Sequence, residues 1–137
     1  MDDLLAAILV LLPRSGAGDP CRVLDGLDLH RAVAYARLDP DGVTAQYAER
    51  AQTDDIATAE DYRRRGVRIE GGRVERQSCE EADGRLRVSE RLGPAVAVLP
   101  DGERQALPRE PWQEREVRLV VEHGRWRIAS VRDPVVE

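Results

Sequence analysis

The sequence predicts an α+β domain: about three N-terminal helices packed in a bent antiparallel sheet, a cone-shaped α+β barrel. Three observations lead there. Three helix starts crowd the first half of the chain. The apolar period changes from helical to two-residue at Val67 and does not change back. The chain then closes on a hairpin, Arg115 to Val131, whose register can be checked from both sides.

The helices come first. Asp19-Pro20 pairs an N-cap with proline in the first turn, and Val23, Leu24, Leu27, Ala34 and Leu38 form one stripe, so a helix is expected over Pro20 to Leu38. Asp39-Pro40 repeats the start signal for a short helix through Val43 and Tyr47. Thr53 or Asp54 caps a third helix that ends in Arg63-Arg64-Arg65-Gly66. Three arginines before a glycine suit the negative end of a helix dipole and a left-handed C-cap, and that reading is preferred to a nucleic-acid patch.

The strands follow. Val67 to Glu70 alternates, and Gly71-Gly72 suggests a bulge. Asp83-Gly84 is a hairpin turn, and Leu86 to Leu92 alternates after it. Gly93-Pro94 interrupts, Ala95 to Leu99 resumes, and Pro100-Asp101-Gly102 turns again. Leu107 to Pro111 is expected as a loop or irregular edge.

In the closing hairpin His123-Gly124 is the two-residue turn. It places Val121 opposite Trp126, Leu119 opposite Ile128 and Val117 opposite Ser130. Glu122 falls opposite Arg125, and Arg118 opposite Ala129. One face is apolar, with Trp126 and Ile128 inward, and the other is mostly charged, as a half-buried sheet requires.

At 137 residues the chain is expected to divide into an apolar segment 1–18, one domain 19–133 and a tail 134–137. The 42% apolar and 34% charged fractions are those of a folded, water-soluble domain. All 21 basic residues are arginine, with no lysine, asparagine or phenylalanine, a bias that reports GC-rich coding rather than a binding function. The net charge of −5, with arginines interleaved among acids, argues against nucleic acid as a partner.

Cys21 and Cys79 are distant in sequence and no Cys or His has metal-ligand spacing, so no metal and no cofactor is expected. A Cys21–Cys79 disulfide requires export; two separate buried thiols are the preferred reading. Leu4 to Leu12 is a nine-residue apolar run, too short for a helix to span a bilayer. Asp2-Asp3 stand where a signal sequence would be basic. The run is expected to be a helix packed on protein, in its own domain or a second copy. Membrane association through Leu4–Leu12, as the remnant of an anchor, is the alternative. Cytoplasmic and exported locations both stay open.

Helices first and then an antiparallel meander resembles the nuclear transport factor two-like fold, also seen in ketosteroid isomerases and polyketide cyclases. More narrowly, the chain is similar to a group of small actinobacterial proteins of this fold. The matching text is Val23-Leu24, Leu27-Asp28, Arg31-Ala32, Leu38-Asp39-Pro40, Tyr62, Gly66-Val67-Arg68-Ile69, Leu86, Val88, Leu92 and Gly124 to Ile128. The resemblance covers Asp19 to Arg132. It implies a sheet wrapped around the first helix with a pocket between them, and it is uninformative about chemistry.

Two charges fall in apolar phases. Arg31 lies between Leu24 and Leu38 on the helical stripe, with Tyr35 a turn further on. Glu90 shares a face with Leu86, Val88 and Leu92. The Asp83-Gly84 turn would set Gln77 opposite Glu90 and Cys79 opposite Val88. Buried ions need partners, so a bridge between Arg31 and Glu90, with Gln77 beside it, is expected. Asp25 and Asp28 are read as solvent-facing, and His30 as flanking. The candidate ligand-pocket residues are Arg31, Tyr35, Gln77, Glu90, Trp126 and Ser130. The preferred function is a non-catalytic binding or assembly module with a small apolar cavity, forming a homodimer. The alternative is a small-molecule isomerase or cyclase with Glu90 as base and Tyr35 as donor. Pairing with Arg31 would make Glu90 a weak base, which disfavours it.

Overall fold

The computed structural model describes residues 19–51 and 53–134. Helices α1 (Pro20–Ala36), α2 (Pro40–Thr44) and α3 (Asp54–Arg65) lead. Strands β1 (Arg68–Gly71), β2 (Val74–Ala82), β3 (Arg85–Leu92), β4 (Ala95–Val98), β5 (Arg104–Leu107), β6 (Gln113–Glu122) and β7 (Arg125–Arg132) follow. The α+β class is as the sequence predicts. The expectations for Leu4–Leu12 and for residues 135–137 fall outside the described residues. Among the described residues no helix is long and apolar enough to cross a membrane.

The caps work as the side chains dictate. The Asp19 carboxylate accepts from the Cys21 N–H, and the Thr53 hydroxyl from the Asp55 N–H. Gly66 closes α3 in the left-handed region at φ +70°. Helix α1 stops two residues before the predicted Leu38. Pro40 drives Asp39 out of helical geometry, and Leu38 turns the chain at φ +54°.

Leu24, Leu27 and Ala34 of α1 pack with Val43, Tyr47 and Ala59 against Leu86, Val88, Val117 and Ile128 of the sheet. The segment after α2 lies along β7: Ile128 N–H donates to Gln46 O and Ala48 N–H to Ile128 O, both at 2.8 Å.

The expected single bent sheet is two antiparallel sheets, β1-β4-β5 and β2-β3-β6-β7, and the described strands do not close into a barrel. The division falls on the glycines. β1 with β4 and β2 with β3 form one ribbon that breaks at Gly71-Gly72 and Gly93-Pro94. Gly93 N–H to Arg73 O at 2.8 Å and Gly72 N–H to Pro94 O at 3.2 Å hold the bend. Gly71 has φ +80°, and a Cβ there would stand 2.9 Å from Pro94 O. A side chain at 71 is therefore excluded twice over. Leu107, expected in a loop, ends edge strand β5 opposite Ala95.

Both hairpin turns are as predicted, with positive φ at Asp83, Gly84, His123 and Gly124. The closing register holds from Glu122↔Arg125 through Leu119↔Ile128, then slips. Ala129 is an extra residue, so Val117 faces Val131 rather than Ser130, and Arg118 faces Ser130 rather than Ala129. Ile128 is buried, and Trp126, two residues before it on the same face, is half-buried.

The cysteines correct another expectation. Cys21 and Cys79 are half-buried and joined in a disulfide with Cα atoms 6.2 Å apart. The bond ties the first turn of α1 to β2.

Candidate functional site

The bend separates the ribbon from α1 and leaves a cavity of about 480 Å³ between α1, α3 and the two sheets. Its walls carry Ala32, Ile69, Val74, Leu92, Ala95 and Leu107. Its charged groups are Asp28 and Arg31 of α1, Asp55 of α3, Glu90 of β3, Arg115 of β6 and Glu110.

Arg31 sits in the apolar stripe as predicted, but its partner is not Glu90. Arg31 Nη1 donates to Asp55 Oδ2 at 2.7 Å and to the Tyr47 hydroxyl at 2.8 Å, while Nη2 donates to Asp28 Oδ1. Glu90 is held by the sheet. Arg76 Nη2 donates to Glu90 Oε1 at 2.8 Å, and Arg115 Nη1 to Glu90 Oε2 at 3.1 Å. Asp28 joins the halves, since its Oδ2 accepts from Arg76. It is 7% exposed, not solvent-facing as expected. Asp25, exposed as expected, adds an outer acceptor for Arg76.

The reason Glu90 meets Arg76 is a bulge. Cys79 faces Val88 and Ser78 faces Ser89, as counted from the turn. Gln77 is then extra, and Arg76 takes the place opposite Glu90. Gln77 is displaced to the exposed side, where its amide donates to Ser89 Oγ at 2.8 Å. A neutral amide could not have balanced a carboxylate this deep; the bulge brings a guanidinium to it.

The two tyrosines finish the cluster. The Tyr35 hydroxyl donates to Asp55 Oδ1, and Tyr47 donates to Asp55 Oδ2 at 2.5 Å. All six oxygens of Asp28, Asp55 and Glu90 thus accept from Arg31, Arg76, Arg115, Tyr35 or Tyr47.

The electrostatics follow from burial and from these bonds. Burial pushes the Asp28 carboxyl above its usual range, although Arg31 and Arg76 pull it down. Burial works the same way on Asp55, but Arg31 and the two tyrosine hydroxyls outweigh it and hold that carboxyl below the usual range. Burial, and then the bond to Asp55, raises Tyr35 well above an ordinary phenol. Burial raises Tyr47 in the same direction, with Asp55 adding to it. For Arg31 burial opposes the charge, and Asp28, Tyr47 and Asp55 overcome that, so its pKa is raised. The tyrosines are neutral donors and the arginines stay charged.

Of the predicted site residues, Arg31, Tyr35 and Glu90 line the cavity, and Gln77, Trp126 and Ser130 are not on its wall. Sequence reasoning missed Asp28, Asp55, Arg76 and Arg115. Among the described residues no group of His, Cys, Asp and Glu is arranged to hold a metal ion.

Three helices and this meander make the nuclear transport factor two-like fold. No family model and no curated protein matches the sequence. Solved structures are similar in fold. A conserved protein from Planctomyces limnophilus superposes with a TM-score of 0.60 at 13% identity, covering 85% of this chain and 96% of that one. Aln2 from a Streptomyces species gives 0.56 at 19%, covering 88% and 91%. The intermembrane space region of the chloroplast protein ARC6 gives 0.57 at 12%, covering 89% and 100%. At these identities the likeness is one of fold.

Proposed function

We propose that this protein is a non-catalytic binding module that takes a small, largely apolar molecule into the cavity between α1, α3 and the bent ribbon. One observation carries the reading: every oxygen of the three floor carboxylates already accepts a hydrogen bond from an arginine or tyrosine of the chain. A general base needs a lone pair within reach of substrate. Here substrate could reach one of these oxygens only in competition with the buried guanidinium or hydroxyl bonded to it, or after that donor is released. The isomerase or cyclase alternative, with Glu90 as base and Tyr35 as donor, needs such a release, because Glu90 is clamped by Arg76 and Arg115 and Tyr35 is committed to Asp55. The size of the cavity and its aliphatic walls fit a bound small molecule.

The Cys21–Cys79 bond supports placing this binding in an oxidising compartment. Within the same reading, copies of a homodimer meet through the outer face of the four-stranded sheet. Glu80, Arg87, Glu116 and Arg132 lie in register across that face. A row of alternating sign is its own complement under a two-fold rotation.

The test is a thermal-shift and calorimetric screen of apolar small molecules against the full chain and Ala32→Trp, which fills the cavity. Saturable one-site binding that Ala32→Trp abolishes and Glu90→Gln preserves is expected. Turnover of a bound molecule that Glu90→Gln removes would replace the module with the enzyme. A monomeric mass by light scattering removes the dimer.

A further inference from the structure

The floor of the cavity is balanced in charge, with Asp28, Asp55 and Glu90 against Arg31, Arg76 and Arg115. An ionic ligand would have to compete with one of these buried pairs for its counter-charge. Half-buried Glu110, which also lines the cavity, only accepts the Leu92 N–H at 3.3 Å through its side chain and has no cationic partner among the described residues. That unneutralised acid opposes an anion further. Above the floor the wall is aliphatic on the α1 and sheet sides, with Ala32, Ile69, Val74, Leu92, Ala95 and Leu107.

Two polar side chains on this wall remain uncommitted. Thr58 and Tyr62 stand one turn apart on α3, and both line the cavity. Neither hydroxyl has a hydrogen-bond partner among the described residues, in contrast to Tyr35 and Tyr47, which are bound to Asp55. The Tyr62 ring is set in place by an edge contact with Tyr35 at 6.0 Å and by the Arg65 guanidinium 5.4 Å from its centre. Residues four apart on a helix share a face, so the two side chains meet the cavity from the same side.

We propose that the ligand is an uncharged, mainly apolar molecule with one carbonyl or hydroxyl oxygen, and that Thr58 and Tyr62 of α3 are its specificity-determining polar contacts. This rests on the binding reading above. It goes beyond it by fixing the charge class and the side of the cavity that recognises the polar group.

Three fluorescent naphthalene probes separate the possibilities on the full chain. They are prodan, a neutral ketone; anilinonaphthalene sulfonate, an anion; and dansylcadaverine, a cation. Prodan is expected to bind about tenfold more tightly than either ion and to lose binding in Ala32→Trp. Tyr62→Phe, which removes only an oxygen, and Thr58→Val should each weaken prodan by about threefold to tenfold, the range of one hydrogen bond, and the double variant should weaken it more. They should leave the melting temperature unchanged. If none of the probes binds, the binding reading itself fails. If the sulfonate or the amine binds as tightly as prodan, binding stands and the uncharged class is overturned. If the double variant binds prodan like the parent, the assignment of Thr58 and Tyr62 is overturned.

Discussion

Replacing Cys21 and Cys79 together with serine removes the covalent tie between α1 and β2, and the structure sets the size of the effect. The bond closes a loop of sequence separation 58. Chain-entropy loss for a loop of that length stabilises the folded state by about 4 kcal/mol at room temperature. For a domain of this size about 1 kcal/mol moves the midpoint by roughly 4 °C, so a drop of about 15 °C is the expectation. Half-buried packing of both cysteines on the core adds to it, while partial structure in the unfolded chain subtracts. The assay is thermal unfolding by circular dichroism of oxidised protein, reduced protein and the double serine variant, with thiols counted under denaturing conditions. Reduced protein should melt well below the oxidised form, and the variant slightly below the reduced protein. A variant melting within about 2 °C of the oxidised protein would refute the loop argument. So would two free thiols in protein purified without reductant.

Arg76→Met should cost about 3–5 kcal/mol, because it strips Glu90 Oε1 and Asp28 Oδ2 of their buried donor; urea unfolding reads it, and a midpoint like the parent's would remove Arg76 from the cluster. Acid titration should separate the two aspartates. Asp55 binds its proton more weakly folded than unfolded, so the stability it lends is full above about pH 4 and is lost as pH falls through its folded value. Asp28 is raised, so the folded state takes its proton first and acidification regains stability there. Urea midpoints measured from about pH 6 to about pH 3 should therefore fall less for Asp55→Asn than for the parent, and more steeply for Asp28→Asn. In the closing turn, Gly124→Ala should cost about 1–2 kcal/mol from its left-handed φ alone, since a Cβ there meets nothing within 4 Å; an unchanged midpoint would contradict the two-residue turn.

The helices were legible because each carries its own punctuation: Asp19-Pro20, Asp39-Pro40, Thr53 and Gly66 mark ends by local chemistry that tertiary packing did not override. The turns were legible for the same reason, since Asp83-Gly84 and His123-Gly124 supply positive φ in sequence neighbours. The division into two sheets was only half visible. Gly71-Gly72 and Gly93-Pro94 each marked an interruption. That they lie opposite one another and bend one ribbon is a fact of register between strands.

The site shows the same limit more sharply. Asp28 is four residues from Leu24 and three from Arg31, so the helical stripe already contained it; reading it as solvated was an error of weighting, not of information. Arg115 shares the two-residue phase of Val117, Leu119 and Val121 and was equally readable. Asp55 looked like an ordinary acid in a helix first turn, and nothing nearby in sequence says that Tyr35 and Tyr47 converge on it. Arg76 is different in kind. Counting back from the Asp83-Gly84 turn gives the right partner for every residue as far as Ser78, and one unpaired residue then reverses the phase. Without the bulge, Glu90 would face an amide, and the three-against-three balance of the floor would lack a cation. The same irregularity that hid the site from the sequence is what makes its burial possible, because it delivers the guanidinium that bonds both Asp28 and Glu90 beside an apolar cavity.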